Sequence, residues 1–155
     1  MIEMGSGSRS RGKRRGGRRI ARLRWPGLSG RKVGWPTPAS PDAITWDKWS
    51  SETVEKLRSE NRIVYVDFTA RWCATCQANK RLVFHSPEVL KEFRDQHIAA
   101  LEGDWTNKDP LITAELAKYG RAAVPFNVIW LPGKTDPIIL PELLTPSAVM
   151  GVLGK

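Results

Sequence analysis

The chain has 155 residues, with 25 Lys/Arg against 16 Asp/Glu, a formal net charge of +9 and only two cysteines. That length suits one domain with a tail, and no apolar run approaches the roughly 18–20 residues needed to span a bilayer. The excess charge sits in residues 1–41, with eleven Lys/Arg and one Glu; residues 42–155 hold fourteen against fifteen, so the basic pI is no argument that the folded part binds nucleic acid.

Residues 1–41 are expected to be a disordered Arg-rich tail and Pro-rich linker. Gly5 to Arg24 mixes Gly and Ser with nine basic residues and offers almost nothing to bury. Gly34 to Pro41 holds three prolines. The basic N-terminus is followed by Trp25-Pro26-Gly27 rather than an apolar stretch, so no signal peptide is visible. The chain as written therefore points to the cytoplasm.

The domain is expected over residues 42–155. Ile44-Thr45-Trp46 suggests a short edge strand, and Ser51 to Asn61 an amphipathic helix with Val54 and Leu57 inward. Ile63 to Thr69 is a β-branched apolar run that predicts a buried strand, followed by a helix from Cys73 to about Phe84. Ser86-Pro87, Asp109-Pro110 and Thr145-Pro146 each put a capping oxygen before a proline at a first helical position, where a missing N–H costs nothing. Gly120 stops the helix that starts at Pro110. Ile98 to Leu101, Val124 to Leu131 and Pro137 to Leu140 are strand-like, the last two joined by a Pro132-Gly133 turn. The order β-α-β-α-α-β-α-β-β-α predicts an α/β fold, a mixed central sheet flanked by helices.

Cys73-Ala74-Thr75-Cys76 opens a helix directly after the buried strand. A helix N-terminus offers free N–H groups and the positive end of the macrodipole, and both stabilise a thiolate. Cys73, at the exposed start, is the candidate nucleophile; Cys76, one turn deeper, is the candidate resolving thiol. A structural disulfide and half of a zinc site are the bland alternatives, but zinc needs two more ligands, and only His85 and His97 are available, at spacings that fit no common site. No metal or organic cofactor is expected. Asp67, six residues before Cys73 on the buried strand, either bonds backbone at the strand end or accepts the proton of Cys76. Pro125 after Val124 is either an ordinary strand-leading trans proline or a cis proline at a turn. Trp72 is expected on a docking surface or packed against the helix, and Trp46, Trp49, Trp105 and Trp130 in the core or its rim. The Ala74-Thr75 pair lacks the histidine that raises the potential of strongly oxidising dithiols, which suggests a reductant.

The element order with Cys-x-x-Cys after the second strand is that of the thioredoxin fold. Val66 to Cys76, Gly103-Asp104-Trp105-Thr106-Asn107, Val124-Pro125-Phe126 and Leu140 to Pro146 together resemble the C-terminal domain of the DsbD family of membrane thiol:disulfide interchange proteins, over about residues 43–153. The resemblance implies a periplasmic relay at the inner membrane, which takes electrons from a membrane-embedded dithiol and passes them to a protein partner. It also implies a redox-active Cys73–Cys76 disulfide and a cis Val124–Pro125 bond in a loop that shields the cysteines and lends backbone groups to the substrate. In one respect the chain departs from the family: Lys80 stands where a second carboxylate is usual, which leaves Asp67 as the only acid expected nearby. A monomeric protein-disulfide reductase acting on protein thiols and disulfides is the expectation. Its rivals are an oxidant or isomerase on the same fold, and a binding module acting through the basic tail.

Overall fold

The computed structural model describes residues 43–154; the tail and linker expected over 1–41 lie outside the described residues. Among the described residues the elements follow the expected order: β1 (Trp46–Lys48), α1 (Ser51–Ser59), β2 (Val64–Thr69), α2 (Ala74–Leu82), α3 (Pro87–Asp95), β3 (Ala99–Asp104), α4 (Pro110–Lys118), β4 (Phe126–Trp130), β5 (Ile138–Ile139) and α5 (Pro146–Leu153). The sheet order is β1-β3-β2-β4-β5. Strands β1 and β2 run parallel to β3, whereas β4 is antiparallel to both β2 and β5.

Local chemistry sets the helix ends. Ser50, Ser86, Asp109 and Thr145 each cap a helix by accepting from backbone N–H groups in its first turn. Gly120 takes a left-handed φ of 67° past the end of α4, and Gly133 one of 71° in the β4–β5 turn. The first strand begins two residues later than its apolar run suggests, because pairing with β3 starts at Trp46.

Side chains alternate across the sheet and build a core on each face. One core joins Tyr65, Ala100 and Ile129 to Phe84, Val89, Phe93, Val149 and Leu153 from α3, α5 and the turn after α2. The other joins Val64, Val66, Phe68, Leu101 and Val128 to Val54 of α1 and to Ile112 and Leu116 of α4. Central strand β2 is buried along its whole length. It therefore delivers its carboxyl end, with the turn that follows, as a rigid platform for the cysteine pair. Trp49 and Trp105 lie in the core and Trp46 and Trp130 at its rim, as expected.

Candidate active site at the Cys73–Cys76 pair

Cys73 is the N-cap of α2, and its Sγ accepts from the Cys76 N–H at 3.1 Å. The two cysteines form a disulfide, with Cα atoms 5.3 Å apart. Cys73 is only 7% exposed and Cys76 1%. Cys73 is thus more covered than the open start of a helix suggests, because Ala70 and Val124 pack against the pair. The Val124–Pro125 bond is cis, and the Val124 carbonyl oxygen lies 3.8 Å from Cys73 Sγ. A disulfide sulfur carries no proton, so this is a packing contact; only the reduced thiol can donate there.

Trp72 is 56% exposed beside the pair. Its Nε1 donates to the Thr106 carbonyl at 3.1 Å, and its ring lies tilted against Trp105 with centroids 6.1 Å apart. The Arg71 N–H donates to Thr106 Oγ1 at 3.0 Å, and the Trp105 N–H to the Thr69 carbonyl at 2.7 Å. The Gly103–Asn107 segment therefore holds the turn that presents Trp72 and Cys73. On the other side of α2, Asn79 is buried and fastens the loop before α5. Its Nδ2 donates to the Glu142 carbonyl at 2.7 Å, and its Oδ1 accepts from the Leu144 N–H at 3.0 Å. Arg121, ahead of the cis proline, pairs with Glu142 at 2.6 Å. Asn79 and Arg121 escape sequence reasoning, and Thr106 enters it only within a family motif, since each acts on a partner at least 21 residues away.

Asp67 is 3% exposed on β2. Burial is the main cause that raises its carboxyl pKa to about 7; the Glu102 charge adds to the rise, while Lys80 and the Asn127 amide oppose it. Burial and the Asp67 charge likewise hold Tyr65 well above the ordinary phenol value. The expectation that Asp67 is the only acid nearby is corrected here. Glu102 is its register partner on β3, and Lys80 from α2 bonds Glu102 Oε2 at 2.5 Å. Parallel pairing brings the two acids together across 35 residues of sequence, and Lys80 supplies the charge that lets them share one face of the sheet. A sulfur pair at a helix start, a buried acid that titrates near neutrality and a neighbouring backbone carbonyl can together support nucleophilic attack and proton transfer at sulfur.

Comparison with known proteins agrees with this geometry. The thiol:disulfide interchange protein DsbD of Pseudomonas fluorescens is 27% identical over 93 residues. That match takes in 58% of this chain but spans only 15% of the DsbD length. Among solved structures, the oxidised DsbD C-terminal domain of Neisseria meningitidis superposes with a TM-score of 0.53 at 16% identity, over 71% of this chain and 97% of that one. A thioredoxin from Thermus thermophilus reaches a TM-score of 0.57, also at 16% identity, over 72% and 85%. At such identities these structures establish a shared fold. No helix among the described residues is long and apolar enough to cross a membrane. Residues 45–132 match the thioredoxin-like family model, and the chain belongs to that family.

Proposed function

We propose that this domain is a thiol–disulfide oxidoreductase working as a protein-disulfide reductase or electron relay. The observation that carries the reading is Cys73 Sγ at the first turn of α2, hydrogen-bonded by the Cys76 N–H and flanked by the Val124 carbonyl. In the reduced form that N–H favours the Cys73 thiolate. The thiolate attacks a partner disulfide, forms a mixed disulfide and releases one partner thiolate. Asp67 accepts the Cys76 proton; the Cys76 thiolate then attacks Cys73 Sγ, closes the Cys73–Cys76 disulfide and expels the second partner sulfur. Two electrons pass from the dithiol to the partner.

Trp72, Val124 and Pro125 are the residues we assign to the partner. The exposed indole offers an apolar contact, and the Val124 carbonyl can accept from a partner backbone N–H. The partners are proteins that carry thiols or disulfides, with a membrane-embedded dithiol as donor and the periplasmic face of the inner membrane as location. Similarity to the interchange protein supports both assignments. The chain is taken to act as a monomer.

Equilibrating the pair against glutathione or dithiothreitol buffers, with tryptophan fluorescence as readout, tests the direction. A potential at or below about −220 mV is expected; a value near about −120 to −180 mV would make the protein an oxidant or isomerase. The absence of histidine between the cysteines supports the reductive direction.

A further inference from the structure

Asp67 belongs to a row. Its register partner on β3 is Glu102 and its register partner on β4 is Asn127, so three polar side chains cross the middle of the sheet in line. Register partners lie about 4.8 Å apart across neighbouring strands and share a face, here the one that α2 covers. On the β3 side, Lys80 neutralises Glu102. On the β4 side, Asn127 is 1% exposed, and its two amide atoms differ. Its Oδ1 accepts from the Tyr65 hydroxyl at 2.9 Å, whereas its Nδ2 completes no hydrogen bond of good geometry among the described residues, although the amide is close enough to Asp67 to favour that carboxyl's ionised form.

A buried donor without a complete hydrogen bond is costly and calls for a reason. Tyr65 sits two residues before Asp67 on β2, on the same face, and is fully buried. It stays protonated at neutral pH and so serves as a donor to Oδ1. That contact fixes the amide with Nδ2 as its remaining free group, next to the Asp67 register position. Resting on the reading of Asp67 as the base for Cys76, we propose that Asn127, aimed by Tyr65, is a positioning residue whose Nδ2 receives the Asp67 carboxylate in its ionised, proton-accepting form. The amide thereby favours the ionised acid in the same sense as Lys80 and against Glu102. Tyr65 on the same strand is the other titratable group coupled to Asp67; from α2 come Lys80 and, at its start, Cys73 and Cys76, and His85 lines a cleft with Lys80 and Glu102.

The full chain carries the test through Asn127→Leu, Tyr65→Phe, the double variant and Asp67→Asn. Two readouts are taken: the carboxyl 13C titration of Asp67, and the pH dependence of single-turnover oxidation of the reduced protein by excess oxidised glutathione. Asn127→Leu is expected to move the Asp67 midpoint upward by about half to one pH unit, with the acid limb of the rate following it. At about pH 6.5 that is a roughly three- to tenfold slower turnover. The double variant removes both the phenol hydroxyl and the amide that pair with each other, so it should recover much of the denaturation midpoint lost by either single variant yet keep the shifted titration. If Asn127→Leu does not fold, the double variant carries the test.

An Asp67 midpoint at the wild-type position in either Asn127→Leu or the double variant would overturn the proposal and leave Asn127 as a mere cap for Tyr65. If Asp67→Asn alters the rate profile while Asn127→Leu does not, the role of Asn127 fails alone. If the titration shifts but Asp67→Asn leaves the profile unchanged, the base reading fails and takes this proposal with it.

Discussion

Burying Asp67 costs the folded chain stability wherever that carboxyl is ionised. Its unfolded value is near 3.9, whereas in the fold burial, helped by Glu102 and opposed by Lys80 and Asn127, raises it to about 7. Between those values the folded state keeps a proton that the unfolded state has released. Stability is therefore fully present below about pH 4 and falls as pH rises through about 7. The span of about three pH units corresponds to something on the order of 4 kcal/mol. Asp67→Asn is expected to exceed wild type by on the order of 2–4 kcal/mol in urea denaturation at about pH 8 and to match it near about pH 4; the same difference at both pH values would show that Asp67 does not titrate in this window. The acid itself is legible in the sequence, because a carboxylate inside Val64-Tyr65-Val66-Asp67-Phe68 needs a partner or a task to offset its burial. Asn127 carries the same signal within Phe126-Asn127-Val128-Ile129, a polar residue in an apolar run. Glu102 carries none, since an acid after Ala99-Ala100-Leu101 reads as a solvated strand end.

That strand end shows where element-scale reading runs out. Composition suggests that β3 stops at Leu101, yet its ladder with β2 continues through Glu102, Gly103 and Asp104. Partners decide the length of a strand, and partners are remote. Helix starts are local by contrast: a capping oxygen and a proline contain the whole argument, and α3, α4 and α5 begin where those pairs stand. Gly103 has a reason that only the paired strands reveal. Its register partner is Phe68, whose ring lies across β3, and a Cβ at position 103 would stand 2.9 Å from Phe68 Cε1 and closer still to Cδ1. The ring has little freedom to yield, since it stacks on Phe126 at 5.9 Å and meets Trp49 edge-on at 5.2 Å. Gly103→Ala is accordingly expected to cost about 1–3 kcal/mol, measured as a lower denaturant midpoint with the reduction potential retained. A wild-type midpoint would mean that the ring relaxes at no cost.

At the scale of the whole molecule, topology does what no segment can. Placing β2 between β3 and β4 sets Asp67 between Glu102 and Asn127 and carries the cysteine turn out beyond the sheet. The order of elements along the chain is legible in the sequence, but these lateral neighbours are products of long-range register. The same whole-molecule coupling offers a check on the direction of electron flow that needs no partner protein. Folding and disulfide formation close a thermodynamic cycle, so a pair that is more reducing in the fold than in the unfolded chain must have an oxidised form more stable than its reduced form. A strong oxidant shows the reverse, because its fold stabilises the dithiol. Each 30 mV between folded and unfolded pairs equals about 1.4 kcal/mol of that difference. For the reductive role, the oxidised protein is expected to unfold at a higher denaturant concentration than the reduced one. A more stable reduced form would reverse the assigned direction whatever the activity with an added substrate, because the cycle depends only on Cys73, Cys76 and the fold around them.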